Sequence, residues 1–169
     1  RQTKETEGYV DFDYFKIEDK ISDCRWADVC YADDELEGHK LDIYLPDTGK
    51  SSHKVVVLIY GSAWFANNMK QNAFQVFGRS LLDKGFAVVS INHRSSRDAK
   101  FPAQINDVKA AIHFIRANAA KYKLDTSFIG ITGFSSGGHL ASLAGTTNGV
   151  KSYTIGDKTV DLEGNVAVS

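Results

Sequence analysis

From residue 54 onward the apolar positions follow two alternating rhythms. Lys54-Val-Val-Val-Leu-Ile-Tyr60 is a β-branched run almost free of polar residues, as a strand covered on both faces requires. Over residues 71–84, Phe74, Phe77 and Leu81 recur at spacings of three and four, which predicts an amphipathic helix, and Gly85 is a suitable stop. A second continuous run covers residues 86–91. Pro102 then suits the first turn of a helix, where its missing N–H costs nothing. Ile105, Val108, Ile112, Ile115 and Ala119 place that helix's stripe on one face. Residues 127–132 read as a third strand and 136–144 as a third helix. Strand and helix alternating three times predicts an α/β domain, with a mostly parallel sheet, right-handed crossovers and helices on both faces.

The flanks read differently. Residues 1–23 mix charge with Tyr9, Phe12, Tyr14 and Phe15 and suggest an arm lying over the domain. Strand-like patches at 26–31 and 39–45 are separated by the turn formers Asp33, Asp34 and Gly38, and Pro46, Asp47 and Gly49 close the second patch. The tail over 150–169 has turn signals at Gly156-Asp157 and Gly164-Asn165, expected of a hairpin or an extended loop.

Bulk properties narrow the classes. A length of 169 residues suits one domain with a real core, and 43% hydrophobic with 24% charged residues is globular composition. With a net charge of -1 and no basic run, nothing points to a nucleic acid or an anionic membrane as partner. The longest apolar run is far too short for a membrane span. Cys24 and Cys30 lie at the two ends of an extended stretch, roughly 20 Å apart at strand rise, so two free thiols are expected and the compartment stays open. The chain opens on Arg1 and its single methionine is Met69, which predicts a cut or processed chain.

The chemistry begins where the third strand runs directly into Gly133-Phe-Ser-Ser-Gly-Gly-His-Leu-Ala141 and then a helix. G-x-S-x-G between a strand and a helix is a nucleophile elbow. The turn strains the backbone of Ser135, the flanking glycines avoid clashes, and the hydroxyl is pushed above the sheet. The helix that follows points its N–H groups at any developing oxyanion. Gly138 is expected to let that helix lie close to the sheet. Tyr60-Gly-Ser-Ala-Trp64 follows the first strand of the alternation, and its small residues let backbone N–H groups approach a ligand. The carboxyl ends of neighbouring parallel strands would bring this loop and the elbow to one crevice.

None of the five histidines is placed where enzymes with an elbow resembling this one carry their base. His39, His53, His93, His113 and His139 all precede it, and His139 suits helix packing one turn beyond Ser135. No His, Cys or carboxylate spacing matches a metal site, so neither metal nor other cofactor is expected.

Tyr60-Gly-Ser-Ala-Trp64, Asn92-His-Arg-Ser-Ser-Arg-Asp-Ala-Lys-Phe-Pro102, the helix with Asp107 and the elbow together resemble the hormone-sensitive-lipase-like carboxylesterases of the α/β-hydrolase superfamily, bacterial acetylxylan and feruloyl esterases above all. The resemblance covers residues 39–147. It implies Ser135 as nucleophile and the N–H groups of Ser136 and of Ser62 or Ala63 as oxyanion hole. It places Trp64 beside the substrate and pairs Arg94 with Asp107 as scaffold. The family's loop usually reads His-Gly-Gly, where this chain has Tyr60 and Ser62. The expected activity is hydrolysis of a small-molecule or carbohydrate ester through an acyl-enzyme, such as removal of acetyl or feruloyl groups from plant cell-wall polysaccharide. An amide or peptide hydrolase of arylformamidase type would use the same elbow, and a non-catalytic binding module could share the fold.

In this fold the catalytic acid and histidine follow the serine on loops after later strands. Residues 1–169 are therefore expected to be the N-terminal portion of one α/β-hydrolase domain. Its C-terminal strands would be missing, and roughly 100 further residues would complete the triad, since such domains commonly run to about 250.

Overall fold

The computed structural model describes residues 24–150, 152–155 and 158–161. The expected arm over residues 1–23 and both turn dipeptides of the tail lie outside them. A five-stranded sheet is built from β1 (Cys24–Cys30), β2 (Lys40–Tyr44), β3 (His53–Ile59), β4 (Ala87–Ile91) and β5 (Leu124–Gly133) in the order β1-β2-β4-β3-β5. β3 runs parallel to both β4 and β5, while β2 pairs antiparallel with β1 and β4. The tail forms the expected hairpin, in which β6 (Ser152–Ile155) and β7 (Lys158–Asp161) pair antiparallel in a sheet of their own. Among the described residues no helix is long and apolar enough to cross a membrane.

The alternation along β3 explains why its sequence is apolar throughout. Val55, Val57 and Ile59 face one core with Ile105, Val108, Ile112 and Ile115 of α3 (Ala103–Ala117) and Leu140 of α4 (Ser136–Thr146). Val56, Leu58 and Tyr60 face the other, with Ala73 of α1 (Lys70–Ala73) and Leu82 of α2 (Arg79–Asp83). Both faces are buried, so no polar alternation survives.

The helix expected over 71–84 is interrupted. α1 and α2 are joined by a π-helical segment, Phe74–Gly78. The Phe74 ring lies where a Cβ at Gly78 would be, and stacks on Tyr44 with centroids 3.7 Å apart. The widened turn and the missing side chain make room for that ring, an arrangement that residue spacing does not encode. The predicted stop at Gly85 is observed: with φ +84° it donates to Leu82 O at 2.8 Å, and Phe86 N–H donates to Leu81 O at 3.1 Å. Together these two bonds make a Schellman cap.

Among the described residues β5 pairs only with β3, so the strand that leads to Ser135 lies at the sheet's flank. On it Phe128 is 46% exposed, while Ile129 and Ile131 are half-buried against the core. Cys24 and Cys30 are free thiols at opposite ends of β1, as expected.

Candidate active site

Only two residues separate the end of β5 at Gly133 from the start of α4 at Ser136. The reversal forces Ser135 to φ 52°, ψ -125°, a conformation that L residues rarely adopt, and leaves its side chain exposed. Gly137 donates to Phe134 O at 2.9 Å and His139 N–H to Ser135 O at 3.1 Å, which starts the helix. A Cβ at Gly133 would sit 2.6 Å from Ile59 O. At Gly137 it would fall on the carbonyl oxygens of both Ile59 and Tyr60. Gly137, rather than the expected Gly138, therefore permits the closest approach of the helix to the sheet; a Cβ at Gly138 would come no nearer than 3.2 Å to Gly133 O. Gly137→Ala is expected to displace the elbow, since both opposing atoms are backbone and cannot yield. Destabilisation of about 3 kcal/mol, the upper end of the usual overpacking cost, should appear in chemical denaturation. A melting curve matching that of the parent would contradict this packing.

The loop after β3 meets the elbow. A Cβ at Gly61 would lie 2.5 Å from Phe134 O and 2.7 Å from Ser135 Cβ, so only glycine lets the two segments touch. The two pieces expected from sequence are thus brought together. Their donors are not used alike, however. Ser62 N–H donates to Ser136 Oγ at 3.0 Å and is spent there. Ala63 and Trp64 follow with φ 48° and 62°, and their N–H groups meet no acceptor among the described residues, nor does that of Ser136. Trp64 N–H and the Ser136 hydroxyl had no sequence signal. Left-handed φ at an alanine and a tryptophan is not written in either residue type.

The Trp64 ring packs edge-on to His139, centroids 5.4 Å apart, and its carbonyl accepts Ser96 N–H at 2.7 Å. His139 is thus a packing partner, as its position suggested. The other histidines are occupied or remote from the elbow. His39 lies between two carboxylates, His53 accompanies Thr48 at the start of β3, His93 stacks on Tyr60, and His113 is exposed on α3. Among the described residues no hydrogen bond links Ser135 Oγ to a histidine, and no group of three His, Cys, Asp or Glu side chains could hold a metal.

Below the loop lies the expected Arg94–Asp107 pair. Arg94 donates to buried Asp107 from its backbone N–H at 2.8 Å, from Nε at 3.0 Å and from Nη2 at 2.6 Å. His39 joins it, with Nε2 3.2 Å from Asp107 and Nδ1 2.8 Å from Asp34. Both ring nitrogens can donate only in the imidazolium form. The Asp107 hydrogen bond accordingly raises the His39 pKa above its usual 6.5, opposed by burial and reinforced by Asp34. A raised histidine pKa stabilises the fold fully below pH 6.5 and loses that contribution as pH climbs through the folded value. Melting temperature should therefore fall from pH 6 toward alkaline pH more steeply in the wild type than in His39→Gln. Parallel profiles would remove His39 from the network's energetics.

A serine raised on a strained strand-to-helix turn, at the carboxyl end of a parallel strand and against a small-residue loop, is the setting of the α/β-hydrolase nucleophile elbow. The chain has that fold. It belongs to the BD-FAE family, whose model matches residues 41–168. A relative, the probable carboxylic ester hydrolase LipM of Mycobacterium tuberculosis, is 34% identical over 84% of this chain and 33% of its own. Among solved structures, a bifunctional GH43-CE protein of Bacteroides eggerthii is 90% identical with a TM-score of 0.84, covering 89% of this chain and 21% of that one. A truncated form of a carbohydrate esterase from gut microbiota is 63% identical with a TM-score of 0.82, over 83% of this chain and 50% of that one. The chain spans 21% to 33% of the length of the first curated relatives it matches.

Proposed function

We propose that this chain carries the nucleophile and oxyanion-binding half of a serine-dependent carboxylic ester hydrolase. The observation that carries the reading is the contact between elbow and loop: Gly61 against Phe134 and Ser135, with free N–H groups at Ala63, Trp64 and Ser136. Ser135 Oγ attacks the ester carbonyl, and the carbonyl oxygen gains negative charge beside the Ser136 N–H and the loop donors. Ala63 takes the loop's part, because the Ser62 N–H is engaged by the Ser136 hydroxyl. Collapse of the tetrahedral adduct expels the alcohol and leaves an acyl-Ser135, which water cleaves to the acid. The proton of Ser135 passes to a histidine held by a carboxylate, both supplied by the C-terminal part of the same enzyme. The lack of a hydrogen bond between Ser135 Oγ and a histidine among the described residues, and the small share of its relatives that the chain spans, support that assignment.

The substrate is an acyl group on carbohydrate, acetyl or feruloyl on plant cell-wall polysaccharide. Similarity to the GH43-CE protein and to the gut carbohydrate esterase supports this class. Assays of the full-length protein on acetylated and feruloylated xylan fragments, beside an aryl formamide, test it. Release of acetate or ferulate is expected. Turnover of the formamide alone would reassign the enzyme to amide hydrolysis. A protein whose Ser135 resists fluorophosphonate would be a binding module.

A further inference from the structure

We infer that the Ser136 side chain, with the hydroxyls of Ser62 and Tyr60, clamps the loop over residues 60–66 onto the elbow, making these three positioning residues for ester hydrolysis. The inference rests on the function proposed above and extends it to side chains that take no part in bond making. Loop residues Ala63 and Trp64 both have left-handed backbones, at φ 48° and 62°. Such strain persists only where the surroundings over-determine it. Glycine would adopt these angles freely, so an alanine and a tryptophan there need an external hold.

Three hydroxyls supply that hold at successive points. At the near end, Ser136 is 3% exposed and its Oγ accepts Ser62 N–H at 3.0 Å, joining the loop to the first residue of α4. Within the loop, Ser62 Oγ accepts Ala66 N–H at 3.2 Å while Ser62 O accepts Phe65 N–H at 2.9 Å, which closes the turn around residues 63 and 64. At the far end, the one hydroxyl proton of fully buried Tyr60 is shared between Ala66 O at 3.0 Å and His93 O at 3.3 Å, which ties the loop's exit to the segment after β4. Burial raises the Tyr60 pKa, which keeps this phenol a donor. Its ring is fixed by stacking on His93, centroids 4.7 Å apart and planes 14° from parallel. Tyr60 and Ser62 are the two positions where the loop departs from His-Gly-Gly, and each replacement brings a hydroxyl that is used.

The clamp also allots the donors. With Ser62 N–H directed to Ser136 Oγ, stabilisation of the oxyanion falls to Ala63, with Trp64 N–H beside it, and to Ser136 N–H. Loosening the clamp should harm the charged transition state more than ground-state binding, because the carbonyl gains charge only on attack.

The test uses the full-length protein with p-nitrophenyl acetate. Ser136→Ala is expected to lower kcat about 10- to 100-fold, the scale of small misplacements near the reacting atoms, with KM changed less than about twofold. Affinity for a trifluoromethyl ketone, which forms a tetrahedral oxyanion on the serine, should fall by the same factor as kcat/KM. Tyr60→Phe, which keeps the ring and removes only the hydroxyl, should move the same two quantities in the same direction, and it decides the matter if Ser136→Ala does not fold. A kcat within twofold of wild type in the folded variants overturns the clamp. So does a kcat loss with unchanged ketone affinity. Wild-type labelling by a fluorophosphonate at Ser135 separates the two levels: labelling with unaffected variants refutes the clamp alone, whereas no labelling refutes the esterase reading and the clamp with it.

Discussion

Ser135→Ala in the full-length protein is expected to lower kcat for ester hydrolysis by about 10⁶, the usual cost of losing a triad nucleophile. The fold should survive. The Ser135 side chain is exposed and its hydroxyl forms no hydrogen bond with the described residues, so its removal leaves no buried partner unsatisfied. The strain at φ 52° is the same for alanine as for serine. Kinetics on p-nitrophenyl acetate together with a thermal melt check both halves. Activity above a few per cent of wild type, in a preparation free of contaminating esterase, would place the nucleophile elsewhere.

The largest stability effect is expected at Asp107. Its carboxylate is 2% exposed and receives Arg94 through the backbone N–H and the guanidinium, with His39 on the same oxygen that meets Arg94 Nη2. Asp107→Ala deletes the acceptor and leaves the Arg94 backbone N–H, its guanidinium and an imidazole without their partner. Breaking one side of a buried pair costs about 3–5 kcal/mol. Urea denaturation should show the loss as a lower midpoint with little change in slope. Catalysis should suffer too, because the segment that begins at Arg94 carries Ser96, whose N–H holds Trp64 O at 2.7 Å. A variant as stable as the parent would mean that the network adds no net stability.

Long-period features were legible before the fold was known. The strand runs at 54–60 and 86–91 needed no tertiary knowledge, because strands buried on both faces lose all polar alternation. The α3 stripe and the Gly85 stop were equally plain. The elbow was readable since its glycines are imposed by backbone contacts, and backbone contacts leave a mark on residue type. Two details leave no such mark, for the same reason. Gly137 and Gly138 look alike in sequence, yet only Gly137 sits on the carbonyls of Ile59 and Tyr60. The break in the helix at Phe74–Gly78 depends on an aromatic stack with Tyr44, thirty residues away in the chain.

What the sequence by itself determined is the order of elements and the tight strand-to-helix turn that presents Ser135, because periodicity and obligatory glycine are local and steric. Which N–H groups of the loop are free is a different matter. Ser62 N–H is taken by a hydroxyl 74 positions away, and Ala63 and Trp64 are turned to left-handed angles by bonds their own side chains do not make. His39 reaches Asp107 across 68 positions. Tertiary structure alone decided these, because a hydrogen-bond partner is chosen by proximity in the folded chain, and residue type records only the capacity to donate or accept.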